Sequence, residues 1–222
     1  MSYLLLFLSV ALGYVVALFL KKKELRNMEV FLAFSGAFLL SITVFELLPH
    51  VFEDHSKSIG VYIMLGILLQ IFLEFFSKGA EHGHVHLHSE AKHFPWILFI
   101  SLSIHAFMEG FPISEHNNLL IAIIIHKIPV AIILSFFFIT AGYRKTTTLL
   151  FLFFFAIMTP LGSFISTNYN LIHQYETPIT AVVIGIFLHV STTILFESSK
   201  NHKFNLSKMT AVILAVIIAY FI

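Results

Sequence analysis

The chain has 222 residues, of which 58% are hydrophobic and only 11% charged, with a formal net charge of +1 and no cysteine. A soluble domain carries about 25% charged residues, so that class is excluded, and with it any disulfide scaffold or thiolate metal site. The near-neutral balance, without a basic tract, leaves no footprint for nucleic acid.

A membrane-spanning helix needs about 20 mainly apolar residues. Eight segments qualify: 3–20, 29–48, 59–77, 95–114, 118–140, 146–166, 178–197 and 206–222. They predict an all-α membrane protein, a single transmembrane domain over residues 1–222 with a polar, His-rich loop at 78–94. Segment 1 lacks a basic leader and a small-residue cleavage site, so it is expected to be a retained helix and not a signal peptide. Segment 2 carries Glu46 near its end and is followed by His50, Glu53, Asp54 and His55. Such a group concentrates cations at a mouth, unless it is simply a solvated loop. Segment 3 carries Gln70 and Glu74 one helical turn apart. After it, His82, His84, His86 and His88 alternate, with His93 close behind. Alternating histidines in a flexible tract bind metal loosely.

Segment 4 holds His105 and Glu109, four residues apart and therefore on one helix face. Segment 5 holds His126, Lys127 and Pro129. At 1.5 Å of rise per residue, His105 and His126 reach similar depths on helices of opposite direction. Ionisable groups in hydrocarbon cost several kcal/mol unless compensated, and imidazole with carboxylate is a natural ligand set for a divalent metal. Each of the three taken alone could be a satisfied interhelical hydrogen-bonding group; their convergence favours a metal site. Pro129 removes one backbone bond and opens the carbonyl of Ile125. Thr159-Pro160-Leu161-Gly162 in segment 6 is expected to be a second break. Lys127, beside a cation site, either pairs with Glu109 or another acid, or stands where a second metal ion would otherwise sit. Segment 7 carries His189 past mid-membrane and Glu197 near its end, and with Gln70 and Glu74 these form a candidate exit path.

Eleven of the thirteen basic residues fall in or beside the loops after segments 1, 3, 5 and 7. By the positive-inside rule those loops are cytoplasmic and both termini lie outside. Gly36-x-Phe38-Leu39-x-x-x-Thr43 in segment 2 reappears as Gly185-x-Phe187-Leu188-x-x-x-Thr192 in segment 7. The two segments run in opposite directions, as in the inverted repeats of secondary transporters.

Several of these motifs resemble the ZIP (Zrt/Irt-like) family of divalent-metal transporters, over almost the whole chain. They are Phe34-Ser-Gly36-Ala-Phe38-Leu and Glu46-Leu-Leu-Pro49, His105-x-x-x-Glu109-Gly110, His126-Lys127-x-Pro129, and Met158-Thr159-Pro160-Leu-Gly162. The resemblance implies eight transmembrane helices in a 3+2+3 inverted repeat, termini outside and a His-rich cytoplasmic loop. It also implies uptake of a divalent transition metal by alternating access, with helices 4 and 5 moving against a scaffold formed largely by helices 2 and 7. Positions that in many members ligate a second metal are here Ala106, Lys127, Val130 and Thr159. The resemblance therefore implies a mononuclear site of His105, Glu109 and His126, with Lys127 substituting for the second ion. His189 stands where the family usually has Tyr or another bulky residue, and Ile194 where it is often polar.

Zn²⁺, Fe²⁺ or Mn²⁺ would be transported substrate and not catalytic cofactor, and the partners are the metal ion and the lipid bilayer, with a homodimer left open. The protein is expected in a plasma or inner membrane, and not to be an enzyme. The rival reading is an intramembrane zinc-dependent hydrolase, which needs three ligands, a bound water and an acid/base group. Lys127 beside the site and the absence of any Asp within a predicted span argue against it.

Overall fold

The computed structural model describes residues 2–20, 25–53, 58–77, 94–114, 117–169, 172, 174–197 and 206–222. They form eight apolar helices where eight segments were expected. These are α1 (Ser2–Phe19), α2 (Leu25–Ile42, continuing through a π-helical turn at Thr43–Leu47 into Leu48–Phe52), α3 (Ile59–Ser77) and α4 (Trp96–Glu109, followed by a 3₁₀ turn at Phe111–Ser114). The others are α5 (Asn117–Thr140), α6 (Lys145–Asn168), α7 (Glu176–Glu197) and α8 (Leu206–Phe221). Seven are long and apolar enough to cross a membrane. α8 has 16 residues, about 24 Å of helix, whereas the 14 residues of α4 reach spanning length together with the 3₁₀ turn, over Trp96–Ile113.

Helix ends differ from expectation where proline intervenes. α2 extends to Phe52 because Pro49, which cannot donate to the carbonyl of Phe45, enters the chain just after a widened turn. In that turn the Leu48 N–H bonds the Thr43 carbonyl. α4 stops at Glu109, with Pro112 carried in the 3₁₀ turn that follows. Pro129 and Pro160, by contrast, lie inside α5 and α6 without interrupting either helix. The expected break at Pro160 is thus absent.

The bundle has an inner and an outer ring. α2 and α5 each bury 61% of their spans, whereas α1 buries 28% and α3 22%. The outer helices turn large apolar side chains outward, among them Leu8 and Leu12 on α1, Leu68 and Phe72 on α3, and Phe153 and Phe164 on α6. That surface suits lipid, since a bilayer offers no water to the backbone or to polar side chains.

Packing sorts the helices into two sets. In one, α1 lies along α5 and α6, and α4 along α6. In the other, α3 and α2 lie along α7, and α8 along α2. The sets meet along a seam where α2 packs on α5 and α3 on α4. Exchanging α1, α2, α3 and α4 with α6, α7, α8 and α5 maps α3–α7 onto α8–α2 and α1–α5 onto α6–α4. This is the neighbour pattern of a 3+2+3 repeat.

The repeated Gly-x-Phe-Leu segments do not share a packing role. Gly36 faces Ile194 of α7, whereas Gly185 faces Ile63 and Gly66 of α3. At that α3–α7 crossing a Cβ on Gly66 would run into the Val182 carbonyl, and one on Gly185 into the Ile63 carbonyl. Glycine lets membrane helices approach to backbone contact.

Candidate metal centre

His105 and Glu109 project from one face of α4, and His126 and Lys127 from α5. Their exposures are 3%, 1%, 2% and 2%. The four-residue spacing places His105 Nε2 at 3.0 Å from Glu109 Oε1. The same carboxylate oxygen lies 4.0 Å from His126 Nε2. One ligand atom from each of the three residues falls within 4.8 Å of the others. Tetrahedral zinc bonds of about 2.0–2.1 Å set neighbouring donors about 3.3 Å apart. A movement of order 1 Å would therefore bring these atoms around one ion.

The second oxygen of Glu109 is taken. Lys127 Nζ lies 2.8 Å from Glu109 Oε2 and 4.8 Å from the centroid of the Phe155 ring on α6. The structure thus pairs Lys127 with Glu109, the first of the two arrangements the sequence allowed. The carboxylate divides its work: Oε1 faces two imidazoles and Oε2 an ammonium. A buried charge is tolerated when paired and hydrogen-bonded, and the ring face adds a favourable contact for the cation.

α6 holds α4 in place at this level. A Cβ on Gly110 would strike the Thr159 carbonyl, and one on Gly162 the Phe107 carbonyl. The Thr159 hydroxyl donates to the Ala106 carbonyl at 2.7 Å. Thr159 and Ala106 are thus engaged with each other, and Val130 is buried in the apolar cluster that includes Ala106. None of the three offers an acidic ligand.

Gln70, fully buried on α3, is not simply a companion of Glu74. Its Oε1 lies 2.9 Å from His105 Nδ1. A carbonyl oxygen only accepts, so Nδ1 carries the hydrogen and Nε2 is the nitrogen turned to Glu109. Sequence spacing could not reveal this, because it fixes positions within a helix and not which helix lies opposite. One turn along α3, Glu74 Oε2 meets His189 Nε2 of α7 at 2.5 Å, with side chains 22% and 19% exposed.

Glu46 lies in the π-helical turn and accepts from Asn118 Nδ2 of α5 at 2.7 Å, a partner the sequence did not indicate. His50 and Glu53 are exposed. Asp54, His55, His82, His84, His86, His88 and His93 lie outside the described residues, as does the side chain of Glu197.

A family model described as ZIP zinc transporter matches residues 80–222, which hold α4 to α8 and every residue of the centre except Gln70. Zinc transporter ZIP1 of Danio rerio is 28% identical over 135 residues, covering 58% of this chain and 45% of that protein. Protein zntD of Dictyostelium discoideum is 30% identical over 150 residues, covering 58% of this chain and 22% of that protein. The match thus spans less than half the length of either curated relative. With well over half of its own length matched by the family model and eight apolar helices, the chain belongs to the ZIP zinc transporter family.

Proposed function

We propose that this protein carries a divalent transition metal, zinc foremost, across a membrane into the cytoplasm by alternating access through one buried site made of His105, Glu109 and His126. The observation that carries the reading is the convergence of three donor groups inside an apolar helix bundle, with their ligand atoms within 4.8 Å of one another. The family and the Danio relative are both zinc transporters by name. Two imidazoles and one carboxylate also suit Fe²⁺ and Mn²⁺.

Lys127 gives the site its transport character. Metal-free, Glu109 is neutralised by Lys127 at 2.8 Å, so the empty pocket does not hold an uncompensated buried charge. On loading, the ion takes Oε1 and the histidines while the ammonium keeps Oε2, which limits the site to one metal. Two unit charges about 4 Å apart interact by roughly 4 kcal/mol at an effective dielectric of 20. Repulsion of that order between ion and ammonium tempers affinity and favours release. Protons compete for the same ligands, so acidification weakens loading.

Metal approaches from the side of Glu46, His50, Glu53 and Asp54 and leaves past Glu74, His189 and Glu197 to the His82–His88 tract, which buffers it. The direction rests on the excess of Lys and Arg in the loops after helices 1, 3, 5 and 7. A hydrolase reading lacks support, because the acid nearest the ligands, Glu109, is itself a ligand and is paired with Lys127. Metal-competition uptake in proteoliposomes tests the proposal, with lipid hydrolysis measured in the same vesicles. The expected result is saturable zinc accumulation, lost in His105→Ala, without hydrolysis. Hydrolysis without accumulation would overturn it.

A further inference from the structure

His105 is held from both sides of the seam. Glu109, on its own helix, meets Nε2, and Gln70, on α3 in the other helix set, meets Nδ1. Gln70 is fully buried in a helix whose outward face is apolar. A buried amide costs several kcal/mol unless hydrogen-bonded, so its place on that helix calls for a partner, and His105 is one. The seam is also crossed above and below this level. Asn118 donates to Glu46, and the Ser101 hydroxyl donates to the Leu73 carbonyl.

All three ligands are buried to within 3% exposure. An ion therefore reaches or leaves them only when helices part. The seam is where that parting disturbs least, because within each set the helices are joined by long contacts and glycine crossings. Opening the seam withdraws Gln70 from His105 while leaving Glu109, His126 and Lys127 together on their own set.

We propose that Gln70 is a positioning residue for the metal site: its side-chain carbonyl fixes His105 with Nε2 toward the ion, and because it belongs to the opposite helix set it ties ligand geometry to closure of the seam. The inference rests on the metal-site reading above. Partners of ligating histidines orient the ring and raise its basicity, and losing one costs about 10- to 100-fold in metal affinity. With Gln70 in place the ring is preorganised. With the seam open it is free to turn, and the ion is held by a looser set of ligands.

Full-length protein in nanodiscs, titrated with Zn²⁺ and Cd²⁺, tests this with Gln70→Leu, Gln70→Glu and His105→Ala. Gln70→Leu, which keeps bulk and removes the acceptor, should raise Kd about 10- to 100-fold. Gln70→Glu restores an acceptor and should recover wild-type affinity or better, while lowering Vmax in vesicles because the stronger bond delays opening. In Cd²⁺-loaded, nitrogen-labelled wild type, His105 should show scalar coupling between cadmium and Nε2 and a slowly exchanging Nδ1–H. Both should weaken in Gln70→Leu. Coordination of the wild-type ion through His105 Nδ1 would overturn the proposal without any variant having to fold. So would equal loss of affinity in the Leu and Glu variants, which would signify packing alone. If His105→Ala binds metal like wild type, the site reading itself fails. If His105→Ala loses binding while Gln70→Leu does not, only the role of Gln70 fails.

Discussion

Two of the polar centres among the described residues, one around Glu109 and one around Glu74, are built differently. His105, Glu109, His126 and Lys127 share a dry pocket at 1–3% exposure, and the lone carboxylate faces both imidazoles and the ammonium. Glu74 and His189 form a two-member pair with side chains about one-fifth exposed. In the first, every group depends on the others, because a buried charge without its partner is expensive. In the second, water can replace a lost partner. On the proposed reading, the difference separates a site that stores an ion from one that passes it on, and it predicts where substitution should hurt.

The largest effect should come from Glu109→Ala. It removes a ligand and strands the Lys127 ammonium, a loss of about 3–5 kcal/mol for a broken buried pair. Uptake should vanish and thermal unfolding should move well down. An unchanged melting temperature would mean that Lys127 does not rely on Glu109, and the contrast would collapse. His105→Ala and His126→Ala should also bring uptake at sub-saturating metal to background, with smaller loss of stability because no charge is orphaned. Wild-type uptake in both would show that the ligands lie elsewhere.

Lys127 offers a sharper probe. Lys127→Ala should still bind one ion, more tightly, because the repulsion is gone, and should turn over more slowly. Lys127→Glu with Val130→Glu and Ala106→Asn supplies acidic and amide ligands for a neighbouring ion. Equilibrium dialysis of protein lacking Glu81 to Ser89 should then give about two metals per protomer, as in two-metal sites, against about one without the substitutions. Two ions bound between α4 and α5 of the unsubstituted protein would refute this account of Lys127. The smallest effect is expected at the partly exposed pair: Glu74→Gln or His189→Ala should lower Vmax a few-fold while leaving metal affinity unchanged. A loss as complete as that of Glu109→Ala would make the two centres equivalent after all.

Much of this was legible from the chain. Hydropathy alone marked all eight helices, because a bilayer admits few alternatives to a continuous apolar run. His105, Glu109 and His126 could be grouped because helical spacing and depth are one-dimensional quantities. Partners on other helices were harder to foresee. Gln70 stood out only beside Glu74, its neighbour on α3, whereas its hydrogen bond goes to His105 on α4. Asn118, the donor to Glu46, carried no signal at all. The π-helical turn before Pro49 was likewise invisible, since proline announces strain without saying how a helix absorbs it. The matching Gly36 and Gly185 pointed to a repeat, but not to which helix each would touch.

The α3–α7 crossing has a mechanical consequence. At Gly66 and Gly185 the two backbones bear directly on each other, with no side chain between them to act as a cushion. Densely packed interiors transmit strain and do not absorb it, so a shift of α7 reaches α3 as travel along a stiff linkage. Gln70 lies about one turn beyond Gly66, and Glu74 one turn farther still. A displacement that begins at His189 would arrive at the hydrogen bond to His105 with little slack, much as the throw of a lever reaches its latch.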